Sequence, residues 1–163
     1  MKIFGIIGWK NSGKTYLAQK IISHLKDNKL EVASIKRAHH NFEIDKPGSD
    51  SFLHRQAGAN QIIISSSKRW AKIIELQNKR EKNLNELLEE LDSPDMVIVE
   101  GFKKENHPKI EIIKDPEKPS TYLFKKLKNV VALISDSKID SSLMQFNKNE
   151  IKNIVNFIIN FKS

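Results

Sequence analysis

Hydrophobic and polar positions change period along this chain, and the changes mark out its elements. Residues 2–7 (KIFGII) form an apolar run of strand length. From Lys14 the apolar residues Leu17, Ala18, Ile21, Ile22 and Leu25 recur every three or four positions, the mark of an amphipathic helix. Asp27-Asn28-Lys29 supplies a turn, and residues 31–36 (EVASIK) predict a second strand. Residues 37–51 are polar and predict a loop, and residues 52–60 predict a short helix ended by Gly58. Residues 61–65 and 70–76 read as strands paired across a turn, with Trp70 placed in the core. Leu84, Leu87, Leu88 and Leu91 share one side of a helix predicted over 83–91. A strongly apolar strand follows at 96–99, opened by Pro94-Asp95 and closed by Glu100-Gly101. Residues 109–114 (KIEIIK) alternate like a strand with one open face. After a proline-bearing loop at 115–121, residues 129–134 (NVVALI) predict a last buried strand. Ile151, Ile154, Val155, Ile158 and Ile159 mark the inward face of a closing helix over 147–161.

Strands and helices alternate at spacings that suit right-handed βαβ units. The expected fold class is α/β, a mostly parallel sheet flanked by helices with some antiparallel strands, and P-loop NTPase-like because a glycine-bounded loop ending Gly13-Lys14-Thr15 joins the first strand to the first helix. No repeat or low-complexity tract divides the 163 residues, so one nucleotide-binding domain over 1–163 is expected.

The chemistry concentrates where the first strand meets the first helix. Gly8-Trp9-Lys10-Asn11-Ser12-Gly13-Lys14-Thr15 fits G-x-x-x-x-G-K-[ST] at every fixed position. Gly8 and Gly13 let the backbone curl so that successive N–H groups point at phosphate oxygens, and the helix adds its positive end. Lys14 then reaches the β- and γ-phosphates as a catalytic cation, and the Thr15 hydroxyl ligates Mg²⁺. Trp9, inside the loop, can shield the phosphates or stack on a partner.

Ligands of open α/β sheets bind beyond the carboxyl ends of the strands. Asp95 and Glu100 bracket one strand, and five residues at strand rise set them about 16 Å apart. Both cannot touch one nucleotide. Glu100 lies at the carboxyl end and takes the catalytic and metal-holding role, through a bound water or by orienting the attacking water. Asp95 belongs to the far end.

Composition narrows the partners. The chain has no cysteine, which excludes disulfides, thiolate metal sites and a cysteine nucleophile. It carries 28 Lys+Arg against 20 Asp+Glu, a formal charge of +8 that suits anionic ligands. Without a dense basic block interleaved with aromatics, nucleic acid is not an expected partner. No apolar stretch reaches transmembrane length and no signal-peptide pattern opens the chain, so a cytoplasmic, membrane-free protein is expected.

Three ordered blocks resemble the MobB family of P-loop accessory proteins in molybdopterin-guanine dinucleotide synthesis. The first is the phosphate loop with Trp9. The second runs Lys36-Arg37-Ala38-His39-His40, then 45–51 (DKPGSDS), then His54-Arg55 and Ala57-Gly58-Ala59. The third is 95–102 (DMVIVEGF) with 108–111 (PKIE). The chain departs from the family at Arg37, where His is usual. The resemblance implies GTP and Mg²⁺ as ligands, weak Mg-dependent GTP hydrolysis, a homodimer, and partnership with molybdopterin and with the MobA nucleotidyltransferase that joins GMP to it.

Within the polar loop, His39 and His40 accompany Asp45 and Asp50. These residue types can ligate a metal, but their spacing lacks the tight pattern of a structural zinc site. His39 and His40 are expected in ligand or partner binding, and Asp45 and Asp50 as supplementary Mg²⁺ ligands. His24 and His107 read as surface residues. The guanine-reading motif N-K-x-D is absent. Asn147-Lys148-Asn149-Glu150 imitates it but reads as a helix start, with Asn147 capping and Glu150 reaching back. Asp136, just past the last buried strand, is the expected base reader, since its carboxylate can accept from guanine N1–H and N2–H together. Two other functions fit a phosphate loop of this size. A small-metabolite kinase would need an arginine-rich lid, where residues 115–128 carry only lysines. A non-catalytic adaptor would use nucleotide only to order a docking surface.

Overall fold

Eight strands and four helices make up the computed structural model, which describes residues 1–38 and 42–162. In chain order the strands are β1 (Lys2–Gly8), β2 (Val32–Lys36), β3 (Gln61–Ser65), β4 (Trp70–Ile74), β5 (Met96–Glu100), β6 (Lys109–Ile112), β7 (Val130–Ile134) and β8 (Met144–Phe146). The helices are α1 (Lys14–Asp27), α2 (Asp50–Gln56), α3 (Leu84–Leu88) and α4 (Ile151–Asn160). Two compact units result: Met1–Arg37 with Leu84–Ser163, and Ala38–Asn83.

The larger unit holds a six-stranded sheet in the order β2-β5-β1-β6-β7-β8, with every ladder parallel. Alternate side chains of its strands serve opposite faces. Phe4, Ile6, Ile98 and Ile110 pack against Ile21 and Leu25 of α1 and Ile154 and Ile158 of α4. On the other side Val97 and Val99 meet Leu84 and Leu88, while Ile7 and Leu133 meet Tyr122 and Leu123. Both faces are covered, as parallel sheets require. Each buried Ile or Leu contributes about 1.5–3 kcal/mol. The smaller unit carries α2 and the antiparallel β3–β4 hairpin, the antiparallel pairing expected from the sequence.

Four expectations change. Strand β6 has no open face: Lys109 and Glu111 are 0% and 1% exposed. Their charged ends are used internally. Lys109 Nζ donates to the carbonyls of Glu105 and His107, and the Glu111 carboxylate accepts the N–H groups of Leu123 and Phe124. Trp70 is 70% exposed on its hairpin and lies outside the core. His107 is buried, and burial drives its pKa down to about 4, so the imidazole is neutral. Finally, α4 starts at Ile151, after a turn at 147–150, and a short strand, β8, precedes that turn.

The buried imidazole has its space because position 5 lacks a side chain. A Cβ on Gly5 would lie 2.5 Å from His107 Nε2 and 2.9 Å from Lys109 Cβ. Gly5→Ala should therefore lower the unfolding free energy by about 1–3 kcal/mol, the range for overpacking a core. Urea denaturation measures it, and an unchanged midpoint would mean that the imidazole yields without cost.

Candidate functional site

Strand β1 ends at Gly8 and α1 begins at Lys14, so the motif's loop spans the carboxyl edge of the sheet. Gly13 is the N-cap of α1 with φ 89°, a left-handed conformation that favours glycine. Helix α1 opens with no side-chain cap and no acidic residue in its first turn. Its first N–H groups have no partner within the helix, and Lys14 adds a cation to the positive end. Such an end is complementary to an anion. The Ser12 hydroxyl oxygen, buried and without a hydrogen-bond partner among the described residues, faces the same requirement.

Lys14 Nζ donates to the Trp9 carbonyl at 2.7 Å, curled over its own loop. Partial burial lowers its pKa; Glu100 acts in the opposite sense, and Lys103 and Lys36 lower it further. Trp9 is pinned by a 2.6 Å bond from Nε1 to the Thr121 carbonyl, and Lys103 Nζ sits 4.7 Å from its ring centroid. Lys10 and Asn11 are exposed at the loop's tip.

Sheet order brings together the residues that the sequence marks as metal ligands, Thr15 and Glu100. Lys36 and Ile6 both pair in register with Glu100, the last residue of β5. The Thr15 hydroxyl donates to the Glu100 carboxylate at 3.1 and 3.2 Å. Lys36 Nζ lies 3.4 Å from Glu100 Oε1 and 3.3 Å from Thr15 Oγ1. An ammonium group thus stands where the sequence expects a divalent ion. Two hard oxygen donors around a cation fit Mg²⁺. Lys36 was missing from the predicted site, although its place at the carboxyl end of β2 was its signal. At the opposite end of β5, Asp95 Oδ2 accepts the Glu31 N–H at 2.8 Å and ties the starts of two strands.

Asp136 follows β7 and forms a 2.6 Å ion pair with Lys148. A cleft of about 190 Å³ joins the phosphate loop to this pair, lined by Asn11, Gly13, Tyr16, Lys114, Asp136 and Lys148. Glu150 does reach back, accepting the Asn147 N–H on Oε2 at 2.7 Å, but Glu150 and not Asn147 is the N-cap residue of α4, and Asn147 Oδ1 accepts from Asn149 N–H at 3.0 Å in the turn before it. Arg37, the departure from the family pattern, lays its guanidinium over the Phe102 ring at 5.7 Å.

In the smaller unit, Asp45 is buried and held by Arg55 through contacts of 2.9 and 3.3 Å. That ion pair competes with any metal-binding use of its carboxylate. Asp50 is exposed at the first position of α2. His39 and His40 lie outside the described residues. Among the described residues no three His, Asp or Glu side chains gather into a metal cage, and no helix is long and apolar enough to cross a membrane.

Residues 3–136 match the family model described as MobB, molybdopterin guanine dinucleotide synthesis protein B. The chain is 31% identical over 161 residues to a molybdopterin-guanine dinucleotide biosynthesis adapter protein of Escherichia coli (strain K12), covering 96% of this chain and 91% of that one. Against the Haemophilus influenzae protein of the same description the identity is 35% over 166 residues, covering 98% and 88%. A crystal structure of molybdopterin-guanine biosynthesis protein B superposes with a TM-score of 0.76 at 28% identity, covering 96% of this chain and 97% of that one. A crystal structure of Bacillus subtilis MobB, 22% identical, shares the fold with a TM-score of 0.79, covering 98% and 96%.

Proposed function

This chain belongs to the MobB family, and on that footing we propose that it is an adapter in molybdopterin-guanine dinucleotide biosynthesis that binds Mg-GTP and hydrolyses it weakly. The convergence of Lys14, Thr15, Glu100 and Lys36 at the carboxyl edge of the sheet carries this reading. Lys14 and the N–H groups at the start of α1 hold the phosphate oxygens. Thr15 and Glu100 are the groups that would hold Mg²⁺, which when bound would neutralise phosphate charge. In hydrolysis a water oxygen bonds to the γ-phosphorus, the bond to the β–γ bridging oxygen breaks, and GDP and phosphate leave. Glu100 orients that water while Lys14 offsets charge on the leaving oxygen.

Asp136 reads guanine at the far end of the cleft. The biosynthetic partners of this reading are the MobA nucleotidyltransferase and molybdopterin, and the working form is a cytoplasmic homodimer. The loop bearing His39 and His40 serves the pterin partner, with the +8 charge assisting capture of its phosphate. An adapter is favoured over a kinase by residues 115–128. This segment bears no arginine, and Glu111 and Trp9 fasten it to the larger unit.

Glu100→Gln should slow Mg²⁺-dependent GTP turnover by about 10²-fold or more, the lower end of the scale for one positioned catalytic group. Asp95→Asn should leave turnover near wild type, since Asp95 works at the other end of β5. Phosphate release under saturating Mg-GTP checks both. A larger loss in the Asp95 variant would sink the assignment of Glu100.

A further inference from the structure

Strands β7 and β8 are parallel neighbours, with Ile134 paired to Phe146. The chain leaves both strands at the same edge, and the Ser135 N–H to Phe146 carbonyl bond at 3.0 Å fastens the two exits together. Asp136 and Lys148 each lie two residues beyond that pair. They meet at 2.6 Å and close one end of the cleft whose other end is the phosphate loop. Both side chains are about half exposed, at 52% and 59%, so their ion pair is worth little and a ligand can open it at small cost.

We infer that Lys148 is a base-reading residue: its ammonium donates to guanine O6 while Asp136 accepts from N1–H and N2–H, so that two separate loops together supply the guanine-specific edge. This rests on the Mg-GTP reading above and adds the donor that reading lacks. Guanine presents an acceptor beside two donors along this edge. A lysine beside a carboxylate offers the reverse order, donor then acceptor. Adenine presents an amino donor where Lys148 stands and an unprotonated N1 toward Asp136, so both contacts become mismatched. A site built from hydrogen bonds rejects such an analogue strongly, because its own polar groups are left unmet. The Asn-Lys-Asn-Glu turn thereby has two uses. Asn147 and Glu150 fix the turn before α4, and the lysine between them is presented to the cleft.

Competition calorimetry on the full chain, with GTP, 6-thio-GTP, ITP and ATP as probes, tests it atom by atom. Wild-type protein should prefer GTP over 6-thio-GTP, whose sulfur is a poor acceptor, and over ITP, which lacks the N2 amino group. Lys148→Met should weaken GTP about tenfold, the scale of one charged hydrogen bond, and abolish the preference over 6-thio-GTP while keeping that over ITP. Asp136→Asn should do the converse and lose the preference over ITP. Lys148→Arg, which keeps a donor, should retain most of the O6 preference. An unaltered GTP to 6-thio-GTP ratio in Lys148→Met overturns the role of Lys148 and leaves Mg-GTP binding standing. Wild-type protein that binds none of the four nucleotides overturns both readings together.

Discussion

Lys14→Ala should weaken Mg-GTP binding at least ~tenfold and leave the fold intact. A hydrogen bond to a charged group contributes about 1.5–3 kcal/mol, and 1.4 kcal/mol is a factor of ten. Lys14 loses more than one contact, since its ammonium addresses the β- and γ-phosphates together. Its present partner is the Trp9 carbonyl, and burial, with Lys103 and Lys36, disfavours its charged form against the pull of Glu100. Truncation removes no core packing, so circular dichroism and melting should stay near wild type. Titration calorimetry then decides: wild-type affinity in a folded variant would end the phosphate-loop assignment.

The largest stability loss is expected from Glu111→Ala. The carboxylate is 1% exposed and accepts from the N–H groups of Leu123 and Phe124 at 2.7 and 2.6 Å. Burial holds its pKa above the ordinary carboxylate value, against the pull of those two donors. Deleting the acceptor strands two N–H groups in the interior at about 1–3 kcal/mol each, so a loss of about 4 kcal/mol is expected. Glu111→Gln keeps one acceptor oxygen and should lose less. Equilibrium denaturation of the pair measures the difference. Equal small losses below about 1 kcal/mol would mean that water replaces the carboxylate. Because Thr121 holds the Trp9 indole, tryptophan emission should shift in the alanine variant before global unfolding.

How far the fold could be read depends on how the sequence spends its polar groups. The face of α1 was legible because its buried residues Leu17, Ala18, Ile21 and Leu25 keep helical spacing. Strand β5 was legible because four of its five residues are apolar and buried. Strand β6 misled because period-two alternation normally means one wet face, whereas here both polar positions find backbone partners inside. Strand β8 has three residues and carries too little pattern to stand out. Within the site, Thr15 and Glu100 were placed by motif and strand polarity, and they do meet. Lys36 and Lys148 were passed over because each lies in a segment with another evident use. Only the lateral order of the strands, which local spacing does not encode, brings Lys36 to Glu100 and Lys148 to Asp136.

The fit of His107 over Gly5 also couples the ways in which this sequence can drift. An imidazole fills the volume a side chain at position 5 would claim, so the two sites are coupled and their substitutions do not add. Shrinking His107 first leaves a cavity that a later methyl at position 5 partly refills. Either order passes through a destabilised intermediate, a cavity when 107 shrinks first and an overpacked core when position 5 grows first. What position 5 can carry therefore depends on what stands at 107, and Lys109 Cβ, 2.9 Å from the same point, keeps a limit on it whichever residue changes first.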